Sequence, residues 1–144
     1  VAKNMGHYLG RKNADLYWLN RTVSKAHDMA SFYGGKVFDK QQLGMKFDLI
    51  INTTPVGMPT EDQSLLPVEL LNADQTVFDV IYNPLMTPLI KQAQYKGAKI
   101  ITGVDMFVAQ GLKQIELWTD TSIVSDEILN KSKKTITRAI DNES

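Results

Sequence analysis

The stretch TVFDVIYNPLMTPLIKQAQYKGAKIIT, residues 76–102, begins and ends with a short apolar run and has a helical pattern between the two runs. Thr87 is suited to cap this helix, Pro88 to occupy its first position, and Gly97 to lie beyond its last turn. Apolar runs joined in this way by a helix are typical of neighbouring parallel strands. The stretch therefore predicts a β-α-β unit.

The same alternation continues on both sides of this unit. Short apolar runs predict five strands in all, at 15–19, 36–38, 47–52, 76–82 and 98–102. Helical patterns fill the intervals, and they predict helices at 1–9, at 23–33 and from Pro88 onward. The sequence therefore predicts an α/β fold with a Rossmann-like, doubly wound and mostly parallel sheet.

Two further helices are predicted at the carboxyl end of the chain. The first carries two stripes at helical spacing, one with Val104, Phe107, Val108, Gly111, Ile115 and Trp118, the other with Met106, Gln110 and Leu117. Because both stripes contain apolar side chains that favour burial, we expect this helix to pack on two partners. The second helix, from about Ser125, has one apolar stripe and is expected to pack on a neighbour.

Composition excludes several classes of protein. The chain has no cysteine, so disulfides, thiolate metal sites and a cysteine nucleophile are excluded, and we expect no metal. The 16 basic and 16 acidic side chains balance, yet residues 1–46 hold eight basic and three acidic ones, which favours a bound anion at that end. No apolar run is long enough to cross a bilayer and no dense basic stripe suits a nucleic acid, so we expect neither a membrane nor a nucleic acid as a partner. The lack of cysteine favours a cytoplasmic protein.

Residues 20–25, NRTVSK, follow a predicted strand at the place where dinucleotide-binding folds contact the adenosine ribose. Asn20 stands where an acidic residue would favour NAD. Arg21 offers a planar fork for a phosphate, Thr22 a hydroxyl and a helix cap, and Lys25 a second positive charge. A solvated basic loop explains these residues equally well by themselves, but their position after a strand favours binding of a 2′-phosphate.

Three other segments have ordinary explanations when each is considered alone. NTTPVGM at 52–58 is explained as a strand-to-loop exit, and Tyr82 as a half-buried tyrosine at the rim of a core. Met106 suits a core position and Gln110 an exposed one. None of these segments indicates a function by itself, so a functional assignment depends on their order along the chain.

Four blocks follow one another along the chain: NRT at 20–22 with Lys25; INTTPVGM at 51–58; FDVIYNP at 78–84 with TPL at 87–89; and GxxMxxxQ at 103–110 followed by ELW at 116–118. This order closely resembles the cofactor-binding domain of shikimate dehydrogenases, over roughly residues 1–120. The resemblance implies reversible hydride transfer between NADP and the pair shikimate and 3-dehydroshikimate, within the pathway to chorismate and aromatic amino acids.

The resemblance also implies roles for individual residues. Those at the adenosine 2′-phosphate would be Asn20, Arg21, Thr22, Val23, Ser24 and Lys25. Those along the rest of NADP would be Asn52, Thr53, Val80, Gly103 and Met106, with Met106 packed against the nicotinamide ring. Tyr82 and Gln110 match the family's residues on the substrate side, suited to the carboxylate and hydroxyl groups of a cyclohexene acid.

In the family that the chain resembles, the Lys and Asp that handle the proton lie on an amino-terminal substrate domain, to which no part of these 144 residues corresponds. The glycine-rich loop and the first strand have no counterpart either. We therefore expect a single NADP-binding domain over 1–144, truncated at its amino terminus, with no catalytic residue and no turnover of its own. A sheet without its first strand has a gap between the strands at 15–19 and 47–52, so copies are expected to associate through exposed sheet edges.

Two alternatives stay open. A non-catalytic nucleotide-binding or regulatory module would explain why the catalytic pair has no counterpart here, although such a module has no use for Tyr82 and Gln110. A related quinate/shikimate dehydrogenase would share this domain and differ in residues outside it.

Overall fold

The computed structural model describes residues 1–39, 44–60 and 64–143, and over these residues it contains five parallel strands in two sheets together with five α-helices. The chain divides into two compact units, Val1–Met45 and Lys46–Ser144, each with its own sheet. The predicted α/β fold with parallel strands is confirmed.

The first unit consists of α1 (Ala2–Arg11), β1 (Tyr17–Trp18), α2 (Val23–Tyr33) and β2 (Lys36–Val37). β1 and β2 pair in parallel, with Tyr17 opposite Lys36 and Trp18 opposite Val37. The predicted bounds of α2 are confirmed. The ladder of β1 is shorter than the apolar run at 15–19, whose apolar side chains are only half-buried in this unit.

Aromatic and small side chains pack the first unit. The Trp18 indole donates a hydrogen bond to the Gly34 carbonyl oxygen at 2.8 Å, and its ring centroid lies 6.2 Å from that of Tyr33. Ala26 and Phe38 are buried in the same unit. Gly35 has a φ of +100°, and a Cβ there would overlap the Leu16 backbone, so this turn between α2 and β2 requires glycine.

The second unit contains β3 (Leu49–Asn52), β4 (Thr76–Asp79), α3 (Pro88–Tyr95), β5 (Lys99–Ile101), α4 (Gly103–Thr119) and α5 (Asp126–Glu143), with a short 3₁₀ turn at Val68–Leu70. β4 lies between β3 and β5 and runs parallel to both. Asn52 is paired with Asp79, so the last residues of β3 and β4 lie side by side. This pairing defines the carboxyl edge of the sheet, which consists of the ends of β3 and β4 and the segments that follow them.

The core of the second unit lies where α3 packs against β4 and β5, and its completely buried residues include Val77, Leu89, Ile90 and Ala93. The Thr87 hydroxyl accepts a hydrogen bond from the Ile90 amide at 3.2 Å, and Pro88 occupies the first turn of α3. Gly97 has a φ of +77° just beyond the helix. The predicted start and end of this helix are confirmed.

α4 and α5 pack against each other at the carboxyl end of the chain, as predicted for the two closing helices. The stripe of α4 that begins at Val104 is buried only near the start of the helix, and the second partner expected for the stripe with Met106, Gln110 and Leu117 stays a prediction. Val104 and Val108 are buried near its start, whereas Phe107 exposes 45% and Trp118 79% of its surface. Periodicity identifies the residues that share a face, but it does not tell how far along the helix a neighbour covers that face. None of the helices in the described ranges is both long and apolar enough to cross a membrane.

Candidate functional site

The basic turn, residues 20–25, connects β1 to α2 in the first unit. The Asn20 side-chain oxygen accepts a hydrogen bond from the Thr22 amide at 2.9 Å, which turns the chain into the helix. Thr22 occupies the N-cap position, but its hydroxyl accepts none of the helix's first amides, so the predicted side-chain cap is wrong. The side chains of residues 21–25 are all exposed. The turn therefore presents cationic and hydroxyl groups at the surface beside the amino end of α2.

The chemistry of this donor set fits a phosphate monoester. The Arg21 guanidinium and the Lys25 ammonium can form charge-assisted hydrogen bonds with phosphate oxygens, and the hydroxyls of Thr22 and Ser24 can donate to the same group. The amino end of an 11-residue helix adds a partial positive charge. These groups suit the 2′-phosphate that distinguishes NADP from NAD.

In the second unit, a strand-end network of Asn52, Thr54, Asp79 and Thr87 underlies the carboxyl edge. The Asp79 carboxylate accepts three hydrogen bonds: from the Asn52 side-chain amide at 3.1 Å, from the Ile81 backbone amide at 3.0 Å and from the Thr87 hydroxyl at 2.8 Å. Asn52, Asp79 and Thr87 have no exposed surface. Because a buried carboxylate is costly without donors, this network explains how β4 ends in an acidic residue inside the core.

Asn52 also folds the loop that follows β3. Its amide donates to the Val56 carbonyl oxygen at 2.9 Å, and its side-chain oxygen accepts from the Thr54 amide at 3.0 Å and the Thr54 hydroxyl at 2.8 Å. Further along this loop, Gly57 has a φ of +108° and lies against the Thr87 side chain. The side chain of Asn52 is therefore part of the scaffold, whereas that of the adjacent Thr53 is partly exposed.

The exit of β4 and the start of α4 are in direct contact. A Cβ on Gly103 would overlap the backbone of Ile81 and the carbonyl oxygen of Val80, so only glycine lets α4 begin this close to the strand end. Tyr82, which is 51% exposed, has its ring centroid 5.8 Å from that of Phe107 on α4. Val80, Tyr82 and Gly103 are thus held around the first turns of α4.

Met106 is partly exposed and Gln110 is exposed one turn further along α4. The start of the helix is fixed by Asp105, which accepts hydrogen bonds from the Thr102 amide at 2.7 Å and the Thr102 hydroxyl at 2.8 Å and lies 2.6 Å from the Lys133 ammonium of α5. Partial burial acts to raise the pKa of Asp105, but the hydrogen bonds from Lys133 and Thr102 outweigh it and hold the pKa below its usual value. α5 thereby helps to fix the helix that carries Met106 and Gln110.

The second unit brings one group of predicted residues to its carboxyl edge and the start of α4, namely Asn52, Thr53, Val80, Tyr82, Gly103, Met106 and Gln110. The six residues of the basic turn belong to the first unit. Sequence reasoning did not single out Asp79 or Thr54 as organisers of the edge. The available signal was Asp79 itself, an acidic residue within the apolar run FDVI. A buried strand tolerates such a residue only where hydrogen-bond donors lie nearby. No cluster of His, Asp and Glu in the described part of the chain could hold a metal ion.

Comparison with known proteins gives the chain's relatives. No protein-family model matches the chain. A protein of Methanocella arvoryzae named shikimate dehydrogenase (NADP(+)) is 40% identical over 126 residues, which cover 83% of this chain and 47% of that protein. The chain is homologous to the shikimate dehydrogenases. It spans about half the length of the curated shikimate dehydrogenases that it matches, 47% in this case and 52% for a relative from Methanococcoides burtonii.

Solved shikimate dehydrogenases share the fold. A chorismate mutase/shikimate 5-dehydrogenase fusion protein from Clostridium acetobutylicum is 34% identical with a TM-score of 0.73, over 88% of this chain and 46% of that one. Shikimate 5-dehydrogenase from Thermus thermophilus, in a complex with NADP(H) and shikimate, is 26% identical with a TM-score of 0.74, over 88% of this chain and 48% of that one. The Rossmann-like α/β architecture predicted from the sequence is confirmed by these neighbours.

Proposed function

We propose that this chain is the NADP-binding part of a shikimate dehydrogenase, an oxidoreductase that interconverts shikimate and 3-dehydroshikimate. The observation that carries the proposal is the arrangement of Tyr82, Gly103, Met106 and Gln110 around the start of α4, in a chain homologous to NADP(+)-dependent shikimate dehydrogenases. The exposed basic turn after β1 supports the choice of cofactor.

The basic turn is proposed to hold the adenosine end of the cofactor. Arg21 and Lys25 pair with the 2′-phosphate, while Asn20 keeps the turn in shape through its hydrogen bond to the Thr22 amide. The Thr22 and Ser24 hydroxyls can donate to the same phosphate, and Val23 lies between them on the first turn of α2. NAD lacks the 2′-phosphate, so these contacts favour NADP.

The carboxyl edge of the second unit is proposed to hold the nicotinamide half. Thr53 and Val80 lie at or just beyond the ends of paired strands, next to the buried Asn52, and Gly103 leaves room because it has no side chain. The Met106 thioether offers an apolar, polarisable surface for a flat ring. When bound, the nicotinamide ring gives or takes the hydride, and these residues fix its position and exclude water from one side.

Tyr82 and Gln110 are proposed to bind the substrate. The Tyr82 phenol can donate to a carboxylate or hydroxyl, and the Gln110 amide can both donate and accept. The contact between the Tyr82 and Phe107 rings limits where the phenol can lie. A pure nucleotide-binding module would need neither polar group, so these two residues favour the enzyme over that alternative.

Calorimetric titration of the 144-residue chain with NADP⁺ and with NAD⁺ tests the proposal. We expect NADP⁺ to bind at least about tenfold more tightly, because a phosphate held by a guanidinium makes charge-assisted hydrogen bonds. Equal affinities would contradict the role of the basic turn, and absence of NADP⁺ binding would contradict the proposed function. We expect no oxidation of shikimate by these residues alone, because they offer no counterpart of the family's proton-handling Lys and Asp.

Association of copies through sheet edges and a cytoplasmic location stay predictions.

A further inference from the structure

Asp79 is a buried acidic residue that the proposed function does not use. It ends β4, has no exposed surface, and accepts hydrogen bonds from Asn52, Ile81 and Thr87 at 2.8 to 3.1 Å. The Asn52 side-chain amide, the Ile81 backbone amide and the Thr87 hydroxyl all donate to its carboxyl oxygens. The carboxylate therefore fixes the orientation of three separate segments at once.

Each of these segments leads to a residue of the proposed site. The chain continues from Asn52 to Thr53, and Asn52 also shapes the loop up to Val56. The Ile81 amide lies between Val80 and Tyr82, so its hydrogen bond to Asp79 sets the path of the chain through both. The same segment supports the start of α4, because Gly103 is in contact with the backbone of Ile81.

The opposite end of β4 provides an internal comparison. Gln75 is also buried there, with 2% exposure, and it donates to the Leu70 carbonyl oxygen and accepts from the Asn72 amide, each at 2.9 Å. A neutral side-chain amide thus satisfies the buried hydrogen-bonding groups at that end of β4. No proposed site residue lies at that end. At the carboxyl edge the same strand instead ends in a carboxylate that gathers donors from three segments.

We propose that Asp79 is a positioning residue for cofactor binding: its buried carboxylate holds the ends of β3 and β4 and the cap of α3 in the one arrangement that places Thr53, Val80 and Gly103 along the nicotinamide half of NADP. This inference rests on the proposed function. Asp79 itself touches no ligand, since its side chain is completely buried. It acts through Asn52, through the Ile81 amide and through Thr87.

The test measures NADP⁺ affinity and unfolding free energy for the 144-residue chain and four variants. Asp79→Asn keeps the shape of the side chain but places an amide nitrogen among the donors. Thr87→Val keeps the volume of Thr87 and removes its hydroxyl, whereas Thr87→Ser retains the hydroxyl and serves as the conservative variant. Gln75→Met removes the buried hydrogen bonds at the opposite end of β4 and controls for lost stability.

We expect Asp79→Asn and Thr87→Val to weaken NADP⁺ binding about tenfold, because small displacements of positioning groups have effects of this size or larger. Thr87→Ser and Gln75→Met should stay within about twofold of the unsubstituted chain, even where Gln75→Met lowers the unfolding free energy as much as Asp79→Asn does. If Asp79→Asn fails to fold, the difference in NADP⁺ affinity between Thr87→Val and Thr87→Ser tests the inference in its place.

Two results would overturn the inference separately from the proposed function. One is unchanged NADP⁺ affinity in a folded Asp79→Asn or Thr87→Val variant. The other is an equal loss of affinity in Gln75→Met and Asp79→Asn at equal loss of stability, which would reduce Asp79 to a purely structural role. Failure of the unsubstituted chain to bind NADP⁺ would overturn the proposed function, and this inference with it.

Discussion

In the basic turn every side chain from Arg21 to Lys25 is exposed, whereas at the carboxyl edge Asn52 and Asp79 have no exposed surface at all. A hydrogen bond from the Thr22 amide to the Asn20 side chain shapes the turn. The edge is shaped by a buried network that links β3, β4 and the start of α3.

The comparison shows that two proposed binding surfaces of one chain can be built on separate physical grounds. A surface turn binds through charge, and its side chains become ordered when the phosphate arrives. A strand-end network orders the backbone in advance, so that small residues such as Gly103 can define a surface for a flat ring. Substitutions at the turn should therefore change affinity with little effect on stability, and substitutions at the edge should change both.

Gly103→Ala should have the largest effect on stability. The new Cβ would overlap the backbone at Ile81 and Val80, which cannot move aside as a flexible side chain could. We expect the free energy of unfolding to fall by about 1–3 kcal/mol, as in overpacked cores, and NADP⁺ binding to weaken as well. Urea unfolding followed by circular dichroism measures the first effect and calorimetry the second.

Gly111→Ala, on the same helix, is the matched control. A Cβ there would meet no atom within 4 Å outside its own stretch of helix, so alanine should stabilise α4 by roughly 0.5–1 kcal/mol through its better helix propensity. Equal stability changes for Gly103→Ala and Gly111→Ala would show that close packing at the strand end is not what requires glycine.

Arg21→Ala should give the next largest effect, mainly on affinity. Loss of the guanidinium should weaken NADP⁺ binding about tenfold and NAD⁺ binding by less than about twofold, because only NADP⁺ carries the 2′-phosphate. Unfolding should be unchanged within about 0.5 kcal/mol, as is usual at exposed positions. Lys91→Ala, an exposed charge on α3, is the control for the change in net charge. An equal loss for both cofactors would remove Arg21 from the phosphate site.

The smallest effect is expected at Glu116, near the turn that joins α4 to α5. Its carboxylate accepts hydrogen bonds from the Lys113 ammonium at 2.8 Å and from the Ile123 and Val124 amides at 3.0 Å each. The hydrogen bond from Lys113, followed by those from the amides of Val124 and Ile123, lowers the pKa of Glu116 from 4.5 to about 2.

Because the folded chain holds this carboxylate in its charged form, the stabilisation is complete above pH 4.5 and is lost as the pH falls toward about 2. Glu116→Gln should lower the unfolding free energy at neutral pH and flatten its decline over that acid range. The readout is a series of urea unfolding curves at decreasing pH. If the unfolding free energy of Glu116→Gln falls with decreasing pH as steeply as that of the unsubstituted chain, other carboxyl groups cause the acid sensitivity.

The sequence predicted those features that depend on local chemistry. The end of α2 at Gly34 follows from a glycine, and the start of α3 from the capping Thr87 and from Pro88, so each depends on residues within a few positions. The role of Asp79 could not be predicted in this way, because its partner Asn52 lies 27 residues earlier and becomes a neighbour only through the register of β3 and β4. The exposure of Trp118 was missed for a related reason, since a stripe of apolar residues does not reveal what covers it.

A ¹H–¹⁵N NMR titration of the 144-residue chain with NADP⁺ and, in parallel, with NAD⁺ tests both proposed binding surfaces at once. We predict that both cofactors shift the amide signals of Val80, Gly103 and Met106, and that NADP⁺ shifts those of residues 21–25 far more than NAD⁺ does. Equal shifts of residues 21–25 with the two cofactors, or unchanged signals at Val80, Gly103 and Met106, would contradict the proposal.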